Sequence, residues 1–376
     1  MNNTLLIACA GAGKTTYLVN EALKLIDKKI LITTFTDENT ESIARKIINQ
    51  NKSIPNNVCV RPWFTFLLEH CVRPFQGKLI EDDITGLLLV QGKSGLRYKT
   101  KNNIPVYWPE ENIENHYFSP KMEIYSDKIA KFAVKSNKLN NNLVIQRIKS
   151  LYDYIFIDEI QDMAGYDFEL ISNFMKLGIK VIMVGDPRQS TLQTHYDGKY
   201  KKYSGYNIKN FFVDHCKDIC YVDEKTLNTS HRCNYEIIKI ANSLYPEFID
   251  SGTDFEEKSV LNGLFFIHKN DVGKFLQTIT PVALRYDKRY YSGDLITYNI
   301  GKSKGLEFDN TLLYLTKNMI QWFLGDSQIE GKTKSSLYIA LTRSRFSCTI
   351  VLNDDKYLSR LQKFEFNGVN LYKLKK

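Results

Sequence analysis

The sequence predicts an α/β protein built on parallel sheets with helices on their faces. Three observations carry that prediction. Short apolar runs at residues 5–8, 154–157 and 181–184 have the length of buried strands. Helical spacing, as in Leu18, Ala22, Leu25 and Ile26, follows the first of them. Strands and helices then alternate through residues 1–222, which implies parallel pairing with helices on both faces.

The chain has 376 residues, room for two or three domains. Its 43% hydrophobic and 25% charged residues fit a folded soluble chain and exclude overall disorder. A net charge of +9 favours a polyanionic partner such as nucleic acid. Seven scattered cysteines without a CxxC pair suit a reducing cytoplasm rather than a disulfide framework. No apolar run has the length of a membrane span, and no signal peptide opens the chain, so no membrane partner is expected.

The first run leads into "AGAGKTT", residues 10–16, and then a helix. Strand, glycine loop and helix together form a phosphate cradle. Gly11 and Gly13 let backbone N–H groups turn toward phosphate, and the helix N-terminus adds its dipole. Lys14 reaches the terminal phosphates and the Thr15 hydroxyl binds Mg²⁺. Ala8 stands where such loops usually begin with glycine.

The run at 154–157 ends in Asp158 and Glu159. A carboxylate at a strand end beside a P-loop holds the metal, and a second one orients or deprotonates the attacking water. That pairing favours a hydrolase over a kinase. The run at 181–184 leads to Gly185, Asp186 and Gln189, and Gln189 is placed to sense the γ-phosphate.

These residues resemble the UvrD/Rep-like family of superfamily 1 DNA helicases. "ACAGAGKTT", "ITTFTDENTESIARKI", "WFTF", "IDEIQD", "VGDPRQS", "LNTSHRC", "KSKGLEF" and "YIALTRSR" resemble its motifs I, Ia, Ib, II, III, IV, V and VI in order. "PVALRY", residues 281–286, is similar to a strand of the second lobe. The resemblance implies two RecA-like P-loop NTPase lobes with ATP and Mg²⁺ between them. Lobe 1A would span 1–76 and 151–222, a 1B-like insertion 77–150, and lobe 2A 223–376. Ala10, Gly11, Ala12, Gly13, Lys14, Thr15 and Thr16 would hold the phosphates, with Thr15 and Asp158 on the metal. Glu159, Gln189, Arg232 and Arg343 would be catalytic, both arginines serving as fingers. His231, Gly305 and Glu307 would line the nucleoside, Glu307 on the ribose.

The same resemblance lays single-stranded DNA, or a duplex with a tail, over Phe35, Thr36 and Thr65. The segment 197–209 interleaves lysines, including Lys201 and Lys202, with Tyr200, Tyr203 and Tyr206, which suits a phosphate track with aromatic platforms or a solvated basic loop. "RYDKRYY", residues 285–291, carries that signature more weakly.

The chain departs from the family in four ways. No glutamine precedes Lys14, so the adenine-reading segment is expected to be missing. His231 stands where an aromatic ring stacks on adenine, which leaves ATP against GTP open. Thr194 and His195 replace an aromatic and an arginine that grip DNA, unless Tyr196 substitutes. Only 304 − 285 = 19 positions separate Arg285 from Lys304, too few for a 2B subdomain. "NKLNNN", residues 137–142, reads as a linker or turn.

The expected function is an ATP-driven translocase or helicase on single-stranded DNA, 3′ to 5′ by resemblance. The alternative is a DNA-sensing ATPase subunit that regulates a partner nuclease. Short UvrD-like chains resemble the helicase-like component of Gabija-type antiphage systems, whose partner is an OLD-type nuclease, and "RPF" at 73–75 points that way. His215, Cys216, Cys220, His231 and Cys233 cluster in sequence without a common zinc spacing.

Overall fold

Strands β1 (Thr4–Ile7), β2 (Ile30–Thr34) and β3 (Val58–Pro62) open the chain. Four short strands follow: β4 (Gly86–Leu88), β5 (Leu96–Lys99), β6 (Pro105–Tyr107) and β7 (Glu123–Tyr125). β8 (Tyr154–Ile157), β9 (Lys180–Gly185) and β10 (Tyr221–Asp223) come next. The computed structural model describes residues 2–191, 194, 196, 198–286, 288–289 and 293–375.

Six of these strands form one parallel sheet in the order β10-β1-β9-β8-β2-β3. β2 is buried at every position, and β8 and β9 at all but their first. Burial on both faces explains why these strands read as continuous apolar runs rather than alternating ones. The chain divides into two compact units. The first holds this sheet and comprises Met1–Ile7, Lys14–Pro187 and Leu192–Asp223.

The second unit comprises Ala8–Gly13, Arg188–Thr191 and Glu224–Lys376. It contains β11 (Thr229–Ser230), β12 (Gly252–Thr253), β13 (Gly263–His268), β14 (Val282–Arg285), β15 (Thr297–Asn299), β16 (Phe308–Tyr314), β17 (Ser344–Leu352), β18 (Gln362–Phe366) and β19 (Val369–Lys373). Its sheet runs β15-β14-β16-β17-β13-β19-β18, parallel as far as β13 and antiparallel at β19 and β18. The Gly331–Leu341 helix packs Leu337, Tyr338 and Leu341 into the core of this unit. Both units are therefore α/β, as the sequence predicts.

Three local expectations change. The first helix is Lys14–Lys24, and Ile26 beyond it is 77% exposed. Asn137 is not in a linker: it lies in the Ile129–Leu139 helix and is buried. Its Oδ1 accepts from Ile145 N at 3.2 Å and its Nδ2 donates to Asn142 Oδ1 at 2.9 Å, so one amide fixes the turn into the next helix. Tyr203 is not a platform either. It is buried, donates to Asp214 Oδ2 at 2.9 Å, and packs with Tyr200 against Phe211 and His215. Asp287, Tyr290 and Tyr291 of the weaker basic segment lie outside the described residues.

Residues 77–150 belong to the first unit. Tyr117 and Phe118 meet Phe132 edge to face at 5.3 and 5.6 Å, giving this segment an aromatic core on the Ile129–Leu139 helix.

A buried polar knot joins two other parts of the first unit. Trp63 Nε1 donates to Asp167 Oδ1 at 2.7 Å, while Asp167 Oδ2 accepts from Ala164 N at 3.3 Å and from the Thr194 hydroxyl. Trp63 and Asp167 are both buried, so removing the indole donor leaves a carboxylate short of a partner. Trp63→Phe is expected to destabilise the protein by about 2–3 kcal/mol in a denaturant melt. A change under about 0.5 kcal/mol contradicts a structural role for the knot.

Candidate functional site

The loop after β1 places Gly11 at φ +76° and Gly13 at φ +74°, left-handed conformations that glycine adopts without strain. In the second unit, the Ala8–Gly13 segment is pinned by main-chain bonds. Cys9 N donates to Leu227 O at 2.9 Å and His231 N to Gly11 O at 3.0 Å. A Cβ on Gly11 would lie 2.6 Å from Arg232 Cβ, so only glycine fits there. Ala10 N donates to the Tyr338 hydroxyl at 3.3 Å, and the buried Arg188 Nη2 to Ala8 O at 2.8 Å. Arg188 also lies over the Tyr338 ring at 5.2 Å.

The chemistry-bearing residues of the first unit converge at the carboxyl end of β8. Thr15 Oγ1 donates to Asp158 Oδ2 at 2.6 Å. Lys14 Nζ lies 3.9 Å from Glu159 Oε1, both side chains being largely buried. Glu159 adopts φ +56°, unusual for a residue with a Cβ, and its carboxylate also accepts from Gln161 Nε2. Gln161 Oε1 accepts from Asp186 N at 3.1 Å, and a Cβ on Gly185 would collide with that oxygen. One amide thus ties the acidic pair to the end of β9. Lys46 Nζ donates to Thr16 Oγ1 at 2.6 Å, linking the Asp37–Asn51 helix to the first helix.

Burial and the adjacent Glu159 charge push the Asp158 carboxyl up to about 6, against the opposing pull of Lys14 and the Thr15 hydrogen bond. Two carboxylates and one ammonium leave this cluster with excess negative charge. The Thr15 hydroxyl and the Asp158 carboxylate are hard oxygen donors, the donor type that Mg²⁺ takes.

The second unit carries the remaining site candidates. Arg343 is buried; its guanidinium donates to Leu306 O at 3.0 Å, Gln189 Oε1 at 3.1 Å and Ile339 O at 3.3 Å. Arg232 Nε pairs with Glu307 Oε2 at 2.9 Å. His231 Nδ1 pairs with Asp254 at 2.8 Å. Gly305 has φ +85° with open space on its Cα. Glu307 and His231 each have one charged partner and remain more than half exposed.

On the candidate nucleic-acid surface, Phe35 is half-buried at the end of β2 and meets Phe64 edge-on at 5.4 Å. Thr36 caps the next helix by accepting from Asn39 N at 3.2 Å. Thr65 is half-buried, and Tyr196, Lys201 and Lys202 are exposed. Thr194 is buried on Asp167, and His195 lies outside the described residues. Burial pushes up the thiols of Cys216, Cys220 and Cys233, the last two to about 12 and about 11.

The sequence profile of the AAA domain matches residues 1–194, and that of the viral superfamily 1 RNA helicase core domain matches residues 115–352. Each match takes in more than half of the chain. The chain belongs to the superfamily 1 helicases. A probable DNA helicase II homolog of Mycoplasma capricolum subsp. capricolum is 24% identical to this chain over 310 residues. That match covers 68% of this chain and 40% of the relative. Among solved structures, the PRRSV helicase aligns at TM-score 0.43 and 14% identity, over 98% of this chain and 58% of its own. The complex of Arterivirus nonstructural protein 10 (helicase) with DNA aligns at TM-score 0.45 and 11% identity, over 95% and 62%. No helix among the described residues is long and apolar enough to cross a membrane.

Gln161, Lys46, Arg188 and Tyr338 have roles that the sequence alone does not announce. All four lie inside the motifs quoted above, but only folding shows what each holds: Gln161 the acidic pair, Lys46 the first helix, and Arg188 and Tyr338 the loop.

Because a proton binds Asp158 more tightly in the folded chain than in the unfolded one, folding loses stability as pH rises from about 4 through 6. Asp158→Asn removes that loss. In metal-free protein it is expected to raise stability by about 2–3 kcal/mol at pH 8 and by almost nothing below pH 4, read from melts across pH. A gain of equal size at both pH values contradicts the buried-charge origin.

Proposed function

We propose that this helicase hydrolyses ATP to drive movement along single-stranded nucleic acid. The observation that carries the proposal is the cluster of Lys14, Thr15, Asp158 and Glu159 around one buried strand end. A P-loop alone serves many enzymes. The second carboxylate beside the metal ligand supplies what hydrolysis needs, a group that orients water and takes its proton.

In this reading Lys14 binds the β- and γ-phosphate oxygens, and Thr15 and Asp158 hold Mg²⁺. The metal, when bound, screens charge on the phosphate oxygens. Glu159 accepts a proton as the water oxygen bonds to the γ-phosphorus and the bond to the bridging oxygen breaks, releasing ADP. Arg232 and Arg343 neutralise the charge that spreads over the transferring group, and Gln189, hydrogen-bonded to Arg343, reports its state. Phe35, backed by Phe64, offers a face on which a base stacks, a contact worth about 1–3 kcal/mol and tolerant of sequence. The net charge of +9 agrees with a polyanionic track. Single-stranded DNA, or a duplex with a tail, is the proposed substrate.

The test is ATP turnover by the purified chain with and without single-stranded DNA and RNA. Stimulation by a single strand is expected, together with complete loss in Lys14→Ala. Arg343→Ala is expected to retain nucleotide binding while turnover falls by about 10³ or more. Turnover that persists in Lys14→Ala overturns the assignment. Turnover indifferent to nucleic acid favours instead a subunit that regulates a partner nuclease.

A further inference from the structure

Residues 91–109 form a small feature that the proposed motor chemistry does not use. β5 and β6 pair only with each other, as an antiparallel two-stranded ribbon. Every residue of β5 is exposed. Between residues 91 and 109 the sequence has Lys93, Arg97, Lys99 and Lys101 and no carboxylate. All four cations are exposed. Arg97, Lys99 and Lys101 form no ion pair with a carboxylate among the described residues.

Aromatic rings sit among these charges. A bulge between Leu96 and Tyr98 interrupts the ladder, and Arg97 lies over the Trp108 ring at 4.6 Å. Lys93 lies over Tyr107 at 4.7 Å, and Tyr98 is 52% exposed. Bulges of this type re-aim side chains.

The base of the ribbon is tied down by buried polar contacts. The buried Lys128 Nζ donates to His116 O at 2.6 Å and Ser94 O at 3.1 Å. Asp127 accepts from Ser94 N at 3.1 Å and Ser94 Oγ at 2.5 Å. Gly95 has φ +70°, and a Cβ there would lie 2.7 Å from Lys128 Nζ. Burying an ammonium and a carboxylate to hold a solvent-exposed hairpin is unneeded if the hairpin is a passive loop. Lysine on an unpaired edge also discourages strand pairing. That role alone requires neither the stacked arginine nor the buried polar contacts beneath the ribbon.

We infer that this ribbon is a nucleic-acid contact, with Arg97, Lys99 and Lys101 on the phosphodiester backbone. The inference rests on the reading above that the chain acts on nucleic acid. Unbalanced exposed cations interleaved with aromatic rings match the charge and stacking surface of a polynucleotide. A two-stranded ribbon is also narrow enough to lie in a duplex major groove.

The experiment compares wild-type full chain with R97A/K99A/K101A on a labelled single strand and on a labelled blunt duplex, across salt concentrations. A control, K28A/K29A/K180A, removes equal charge from exposed residues at the amino ends of β2 and β9. The ribbon variant is expected to lose about tenfold or more in affinity at low salt on at least one of the two ligands. Its slope of log affinity against log salt is expected to flatten by about 2–3. The arm that changes identifies single strand or duplex as the source of the phosphates. ATP turnover without nucleic acid is expected to stay at the wild-type level. Unchanged affinity and slope on both arms, or an equal loss in the control, overturn the ribbon contact alone. A wild-type chain that binds neither ligand overturns the parent reading as well.

Discussion

One electrostatic constraint organises the first unit: two neighbouring carboxylates at the end of a buried strand. Asp158 is 2% exposed, and Glu159 beside it sits in a left-handed backbone conformation. Water cannot screen such a pair, so the protein must. Lys14 from the glycine loop, the Thr15 hydroxyl and the Gln161 amide all turn toward it. Even so, the Asp158 carboxyl remains pushed up to about 6. Negative charge held out of water in this way is what a divalent cation offsets, and it ties the stability of the sheet to the chemistry at its edge.

The surrounding fold keeps that pair in place through polar contacts as much as through apolar packing. Gln161 reaches from the turn after β8 to the main chain after β9, and Gly185 leaves it room. Lys46 couples the helix that follows Phe35 to Thr16 in the first helix. The second unit fixes its own segment of the loop, through Arg188 and Tyr338.

Much of this was legible in the sequence, and the reasons are physical. Parallel strands buried on both faces leave unbroken apolar runs, so β1, β8 and β9 stand out. Motifs whose chemistry is local, such as Gly11 to Thr15 or the Asp158-Glu159 pair, announce themselves by spacing. Contacts made across the fold do not. Nothing in "NKLNNN" tells that Asn137 is helical and buried, because its role depends on Asn142 and Ile145. Tyr203 reads as a surface ring until Phe211 and His215 pack around it. The partners of Glu307 and His231, which lie 75 and 23 positions away, were equally out of reach.

The claim that the acidic pair is a metal-nucleotide centre is tested most directly by the pH dependence of Mg²⁺-ATP binding. Affinity should weaken as pH falls through about 6 in the wild-type chain, because protonated Asp158 no longer ligates the metal. Asp158→Asn should bind weakly and lose that dependence. Equal affinity for the two chains, with no inflection between pH 5 and 7, would contradict it.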